Sequence, residues 1–235
     1  MKTFGVFEIL GPIMIGPSSS HTAGAARLGK IAKTIAANDI KKVTFLLHGS
    51  FAKTYKGHGT DRALVAGVLG MDPSDERLRD SMEIAKDRGL IIEFVEQDLG
   101  QVHPNTVKFL MEDINGKNSE IMGSSIGGGN IEINEINGNS VHISGAYSTM
   151  ITCHDDIPGT VAKVSDIIYS NKINIAFLKL VRAQKGKGAT MTFELDNDVS
   201  DSLLNSVKKI EGINKVIVIN INKEIGGNKN DSKIS

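Results

Sequence analysis

The chain has 235 residues, with 27 basic and 27 acidic side chains giving a formal net charge of zero, and a single cysteine. That length holds one large or two smaller domains with a real core, and the charge balance argues against nucleic acid or an anionic membrane surface as a main partner. No apolar run is long enough to span a bilayer, and Cys153 alone cannot close an internal disulfide. The opening MKTFGVFEILG lacks a long apolar core and a small-residue cleavage site. It therefore reads as mature protein, and the chain as soluble and cytoplasmic.

The first distinctive stretch is Gly16-Pro17-Ser18-Ser19-Ser20-His21-Thr22-Ala23-Gly24. Ala25, Leu28, Ile31 and Ile35 recur beyond it at the spacing of one helical face, with Arg27, Lys30 and Lys33 mostly on the other side. Any of Ser18, Ser19 or Ser20 can cap this helix. Its first N–H groups then lack an internal partner and suit a small anion such as a carboxylate, with Gly24 allowing close approach. An ordinary capped helix explains the same residues.

Residues 43–47, Val-Thr-Phe-Leu-Leu, read as a buried strand ending at His48-Gly49-Ser50. The glycine-punctuated stretch 53–61 leads into a second helix, with Thr60 or Asp61 as its cap. Asp72-Pro73-Ser74 starts a third, with Leu78, Met82 and Ala85 on its inner face. Ile91–Val95 is another short strand. Val107, Phe109 and Met111 alternate with polar residues as in a half-buried strand, and Asn115-Gly116 and Asn137-Gly138 signal tight turns. Between those turns lies Ser124-Ser125-Ile126-Gly127-Gly128-Gly129, where backbone can touch a neighbour closely.

From Ser148 the pattern is strand, helix, two strands, helix, strand, with a turn at His154-Asp155-Asp156-Ile157-Pro158-Gly159 and the second helix started by Ser200. This βαββαβ order is the ferredoxin-like unit and resembles an ACT domain. The fold class is therefore α/β (α+β), with a mixed α/β domain over 1–144, an ACT domain over 147–221 and a disordered polar tail over 222–235.

Histidines dominate the candidate chemistry. His58 and Asp61 stand three apart at a helix entrance, either as a capped helix with a solvated His or as an imidazole aimed at a ligand near the serines, with Asp61 orienting it or a backbone group. His103-Pro104-Asn105 is either a turn or a donor pair at a loop end. His48, at the end of a strand, is as readily a satisfied structural histidine as a functional one, and neither His142 nor His154 is assigned to chemistry. No HExxH, CxxC or paired acidic run marks a metal site, and neither the Gly127–Gly129 run nor Gly186-Lys187-Gly188 meets a nucleotide-binding pattern.

Taken in order, GPSSSHTAG at 16–24, GHGTD at 57–61, HPN at 103–105, SIGGG at 125–129 and the ACT-like module resemble the beta subunit of iron–sulfur-dependent L-serine dehydratases. The resemblance covers the chain to about residue 221. Many members read His-His-Thr-Asp at the second motif, where this chain has Gly59 for the second His, leaving His58 as the candidate.

The resemblance implies α,β-elimination of water from L-serine, giving pyruvate and ammonia, in serine catabolism. It also implies a [4Fe–4S] cluster acting as Lewis acid, carried by cysteines of a partner alpha subunit, and a single Cys here agrees with that division. This chain would then supply one wall of the site. Ser18, Ser19, Ser20 and Thr22 would hold the substrate carboxylate, and His21 and His58 would contact substrate or transfer protons. Asp61, His103, Asn105 and the backbone of Gly127, Gly128 and Gly129 would line the site. The ACT module would bind an amino acid or self-associate. The alternative is a non-catalytic regulatory subunit binding an amino acid or anion, as in some phosphoglycerate dehydrogenases.

Overall fold

The computed structural model describes residues 13–182, 184 and 186–220, so the expected tail at 222–235 lies outside the described residues. The chain divides into two compact units between Ser144 and Gly145.

In the first unit a π-helical turn, Ser19–Gly24, runs into α1 (Ala25–Ala36). There follow β1 (Ile40–Leu47), α2 (Gly49–Thr54), α3 (Thr60–Val68), a 3-10 turn (Glu76–Asp80) and α4 (Ser81–Asp87). The rest is strand: β2 (Ile91–Glu96), β3 (Thr106–Asp113), β4 (Asn118–Gly127), β5 (Asn130–Ile136) and β6 (Asn139–Ile143). They form one sheet in the order β2-β1-β3-β4-β5-β6. Only β1 and β2 pair in parallel, because the helices connecting them carry the chain back to the same end. The remaining pairs are antiparallel.

Alternation sets the register of this sheet. Val43, Phe45 and Leu47 of β1 stand opposite Met111, Phe109 and Val107 of β3, and all six are buried. Phe45 and Phe109 meet edge to face at 5.5 Å. As the helical spacing predicts, Leu28, Ile31 and Ile35 of α1 are buried.

Two expectations about helix starts need correction. Asp75, rather than Asp72-Pro73-Ser74, caps the third helical segment, accepting the N–H of Arg77 at 3.0 Å. That segment opens as a 3-10 turn with about three residues per turn instead of about 3.6, which rotates Met82 out of line with Leu78 and Ala85. Leu78 and Ala85 are buried, whereas Met82 is 38% exposed. At α3 the cap is Gly59, at φ +69°, and neither Thr60 nor Asp61. A residue with φ in this range turns the chain out of the preceding loop into the helix, a conformation glycine adopts without steric cost.

α1 and α3 cross at glycines. A Cβ on Gly29 would lie within 3 Å of the Leu64 carbonyl oxygen, and one on Gly67 within 3 Å of that of Ala26. The two backbones are thus in direct contact, which orders everything carried at the helix starts.

The second unit comprises β7 (Ser148–Asp155), α5 (Thr160–Ser170), β8 (Ile175–Arg182), β9 (Gly188–Leu195), α6 (Asp201–Lys208) and β10 (Ile213–Ile219). The sheet order is β10-β7-β9-β8, every pair antiparallel. This is the expected βαββαβ unit. Val164, Ile168, Leu203 and Val207 of the helices pack on Met150, Met191 and Phe193 of the central strands, and Ser200 caps α6 through the N–H of Leu203.

Gly67→Ala tests the crossing. The added methyl meets rigid backbone, so equilibrium urea unfolding should show a loss of about 1–3 kcal/mol or more. Gly70→Ala, where a Cβ meets nothing within 4 Å, should cost less despite its positive φ.

Candidate functional site

The serine turn is more closed than its sequence suggests. Ser18 is extended, and its Oγ accepts the N–H of His21 at 3.1 Å. Its carbonyl oxygen accepts the N–H of Thr22 at 2.9 Å and of Ala23 at 3.4 Å, the latter bond producing the π geometry. Of the three possible caps, Ser18 is therefore the one used. Three N–H groups near the helix start, those of His21, Thr22 and Ala23, are thus satisfied within the turn. The hydroxyls of Ser19 and Ser20 make no hydrogen bond among the described residues. Gly24 does not open space for a ligand, because a Cβ there would strike the Ser125 side chain. It lets β4 pack against the turn instead.

His21 is the hub of the site. Its Nε2 lies 3.1 Å from Ser50 Oγ. Its ring meets Phe51 edge to face at 5.3 Å and stands 4.9 Å from the ring of His58. Burial, and secondly the neighbouring His58, hold the His21 imidazole below the usual histidine value. At neutral pH its ring is thus an uncharged acceptor or donor fixed by a serine hydroxyl.

Ser50 is itself held. Its N–H donates to the Pro104 carbonyl oxygen at 2.8 Å, so the His103-Pro104-Asn105 loop is fastened to the residue that positions His21. Asn105 accepts the Ser125 N–H at 3.0 Å through its carbonyl oxygen. The same loop therefore also ties down the end of β4. His103 is exposed, and its Nδ1 accepts the N–H of Asn105 at 3.1 Å. Asp61 Oδ1 accepts the N–H of Arg62 at 2.8 Å, the backbone alternative for that residue.

A cleft of about 340 Å³ opens beside the imidazoles, lined by Gly16, Thr22, His58, Arg62, Leu78 and Arg79 among others. Thr22 is 1% exposed and its Oγ1 has no hydrogen-bond partner. Thr60 Oγ1 and Ser125 Oγ, also buried, are likewise without partners. Gly127, Gly128 and Gly129 all take positive φ, at +100°, +62° and +80°. Arg27 reaches from α1 to the carbonyl oxygen of Gly129 at 2.8 Å, so it is a brace across the domain and not a solvated face residue.

The structure thus brings His21, Thr22 and His58 together. None of His103, Asn105 and Gly127–Gly129 lines the cleft; they brace it from behind. Sequence reasoning missed Ser50, Phe51, Arg62, Lys56 and Arg79. Ser50 had a signal, standing just past the end of a buried strand beside His48. Arg79, in a 3-10 turn far along the chain, had none.

Comparison with known proteins now bears on this site. The family described as serine dehydratase beta chain matches residues 5–88, and the ACT domain matches residues 147–212. A probable L-serine dehydratase beta chain of Bacillus subtilis (strain 168) is 42% identical over 219 residues, covering 93% of this chain and 99% of that protein. The L-serine dehydratase beta chain of Peptoniphilus asaccharolyticus is 42% identical over 212 residues, covering 90% and 96%. The chain belongs to the L-serine dehydratase beta-chain family. A D-3-phosphoglycerate dehydrogenase of Synechocystis is similar at 22% identity, covering 84% of this chain and 36% of that protein. Membership of the L-serine dehydratase beta-chain family implies an alpha chain as partner. Among the described residues no helix is long and apolar enough to cross a membrane.

The low proton affinity of His21 has a sign that can be checked. A depressed value means that folding favours the neutral ring, so this group's contribution to stability is present above about pH 6.5. It is lost as pH falls from there through the folded-state value. Histidine ring NMR should find His21 titrating below the range near pH 6.5, and His58→Ala should raise its midpoint part of the way by removing the second cause.

Proposed function

We propose that this chain forms one wall of the serine site of an L-serine dehydratase, working with an alpha chain to convert L-serine to pyruvate and ammonia. The reaction removes a proton from Cα and the hydroxyl from Cβ. The resulting enamine tautomerises to an imine, which water hydrolyses. The observation that supports this reading is the His21–His58 pair beside a cleft with an unpartnered buried hydroxyl. A site that only held an anion would have no use for two adjacent imidazoles, one kept neutral and fixed by a serine.

In this reading His21, uncharged and locked by Ser50, is the group suited to take up a proton. His58, at the exposed edge of the cleft, passes protons to and from solvent. Ser19, Ser20 and Thr22 offer hydroxyls to the substrate, while Ser18 shapes the turn. The bracing loop and glycine turn keep these groups in register, which is where much of a site's rate comes from.

The [4Fe–4S] cluster implied by the resemblance does not fit this chain's own donors. Cys153 is its one thiol, and the described residues contain no group of three or more His, Cys, Asp or Glu side chains able to hold a metal ion. The cluster is assigned to the alpha chain.

Purified alone, this chain should show no serine turnover, and anaerobic mixing with its alpha chain should restore it. In that reconstituted pair, Ser19→Ala should lower kcat/KM about three- to tenfold, the cost of one hydrogen bond to a neutral group of the substrate. His58→Ala and His21→Ala should lower kcat about a hundredfold or more. Steady-state kinetics decide: if all three stay within about twofold of the parent, the regulatory reading is the better one.

For the second unit we propose self-association through the ACT sheet. β8 and β10 are its edges, and Leu178 and Leu180 of β8 are 39% and 49% exposed. The mass of the full chain in solution should exceed that of one copy, and Leu180→Asp should reduce it. A strict monomer at high concentration would refute this.

A further inference from the structure

Eleven residues line the cleft beside His58, and three of them, Lys56, Arg62 and Arg79, are cations while none is acidic. In a chain of zero net charge this is a local excess. Among the described residues none of the three forms an ion pair, although the surface elsewhere pairs its cations freely, as in Lys30–Asp72, Arg77–Asp75 and Lys41–Glu112. Lys56 makes only a contact with the Tyr55 ring, at 5.6 Å. Uncompensated like charges around one concavity repel each other, and the repulsion falls when an anion enters. The second observation is independent of charge. Thr22, another of the lining residues, is 1% exposed and its Oγ1 lacks any partner, so an unsatisfied hydroxyl stands within the cleft wall.

We propose that this cleft is a carboxylate subsite, in which Arg62 and Arg79, with Lys56 at the rim, hold the carboxylate of a small α-amino or α-keto acid and Thr22 completes its hydrogen bonds. The inference deepens the reading of the preceding section. It moves the charge-bearing end of the ligand from the serine turn, where the N–H groups of His21, Thr22 and Ala23 are already closed, to a place with formal positive charge. The volume of about 340 Å³ accommodates a molecule of serine's size. The carboxylate has two possible sources, the reacting serine itself or a second acid acting as an effector.

The test is a titration of the full chain, without its partner, followed by the ring resonances of His58. The charged groups sharing the cleft with His58 are Lys56, Arg62 and Arg79; His21 adjoins it, and Asp61 is engaged by the Arg62 N–H. At fixed pH, L-serine or pyruvate should shift the His58 ring resonances saturably, because the ring shares the cleft with the three cations. Ethanolamine, which is serine without its carboxylate, should leave them unmoved. Arg62→Gln should weaken the response about tenfold or more, and Arg79→Gln, a second exposed variant, should weaken it in the same direction. An equal response to ethanolamine, a response to inorganic phosphate but not to serine, or undiminished serine binding by both variants would each overturn the proposal.

The source is read in the reconstituted pair. A raised KM in Arg62→Gln with kcat retained marks the reacting serine, and an unchanged KM with loss of a pyruvate effect on rate marks an effector. Both outcomes sustain the subsite. Because the titration involves no turnover, it can succeed where the histidine variants leave the reaction intact, and fail where they abolish it.

Discussion

The first unit depends on one close contact, the crossing of α1 and α3 at Gly29 and Gly67. With no Cβ on either helix at the crossing, each backbone reaches the other's carbonyl groups. Side chains of ordinary size would separate the axes by a further ångström or more. The serine turn is continuous with the start of α1, and His58 stands two residues before the start of α3. A change in the crossing is therefore carried directly to the separation of the two imidazoles. Two residues with no chemistry of their own set the geometry of the two that have it.

Around this crossing the protein tolerates unsatisfied polarity. Thr22, Thr60 and Ser125 bury hydroxyls without partners, each at a cost of about 1–3 kcal/mol relative to a bonded group. They lie on the turn, at the first residue of α3 and on the strand packed against Gly24, and so they surround the same small region. Elsewhere in the unit, buried hydroxyls are bonded, as Thr106 is to Ser124 and to the His103 carbonyl oxygen. Asn134 Oδ1 on β5 is also without a partner, but three open hydroxyls gathered where helix starts and a cleft converge suit a site whose hydrogen bonds are completed by something that enters it.

Much of this was legible in the sequence, for reasons that differ by element. The buried strands were readable because alternation is local: Val107, Phe109 and Met111 declare their face without knowledge of β1. The βαββαβ unit was readable because its turns and periodicities come in order. The start of α3 was misread because Gly59 does by backbone conformation what Thr60 or Asp61 would do by a side-chain bond, and composition cannot distinguish them. The bracing role of Arg27 was not legible because the glycine turn that receives it comes from residues about a hundred positions later. Ser50, Arg62 and Arg79 share that difficulty. Their roles arise from chain crossings, and no spacing in the sequence encodes a crossing directly.

The arrangement has an electrostatic logic that links substrate capture to proton transfer. In the open cleft, burial and secondly the neighbouring His58 lower the proton affinity of His21, and three cations stand around the space beside it. The His21 ring is thereby kept toward its neutral form, ready to accept a proton but poor at retaining one. An anion seated among Lys56, Arg62 and Arg79 cancels part of that field. By linkage, whatever raises the proton affinity of an imidazole when the anion binds must also tighten the anion when the proton arrives. A carboxylate substrate would thus strengthen the base that acts on it, and release of the proton would loosen the product. The pair of histidines and the ring of cations are then two halves of one device, and their juxtaposition depends on the absence of two methyl groups where α1 crosses α3.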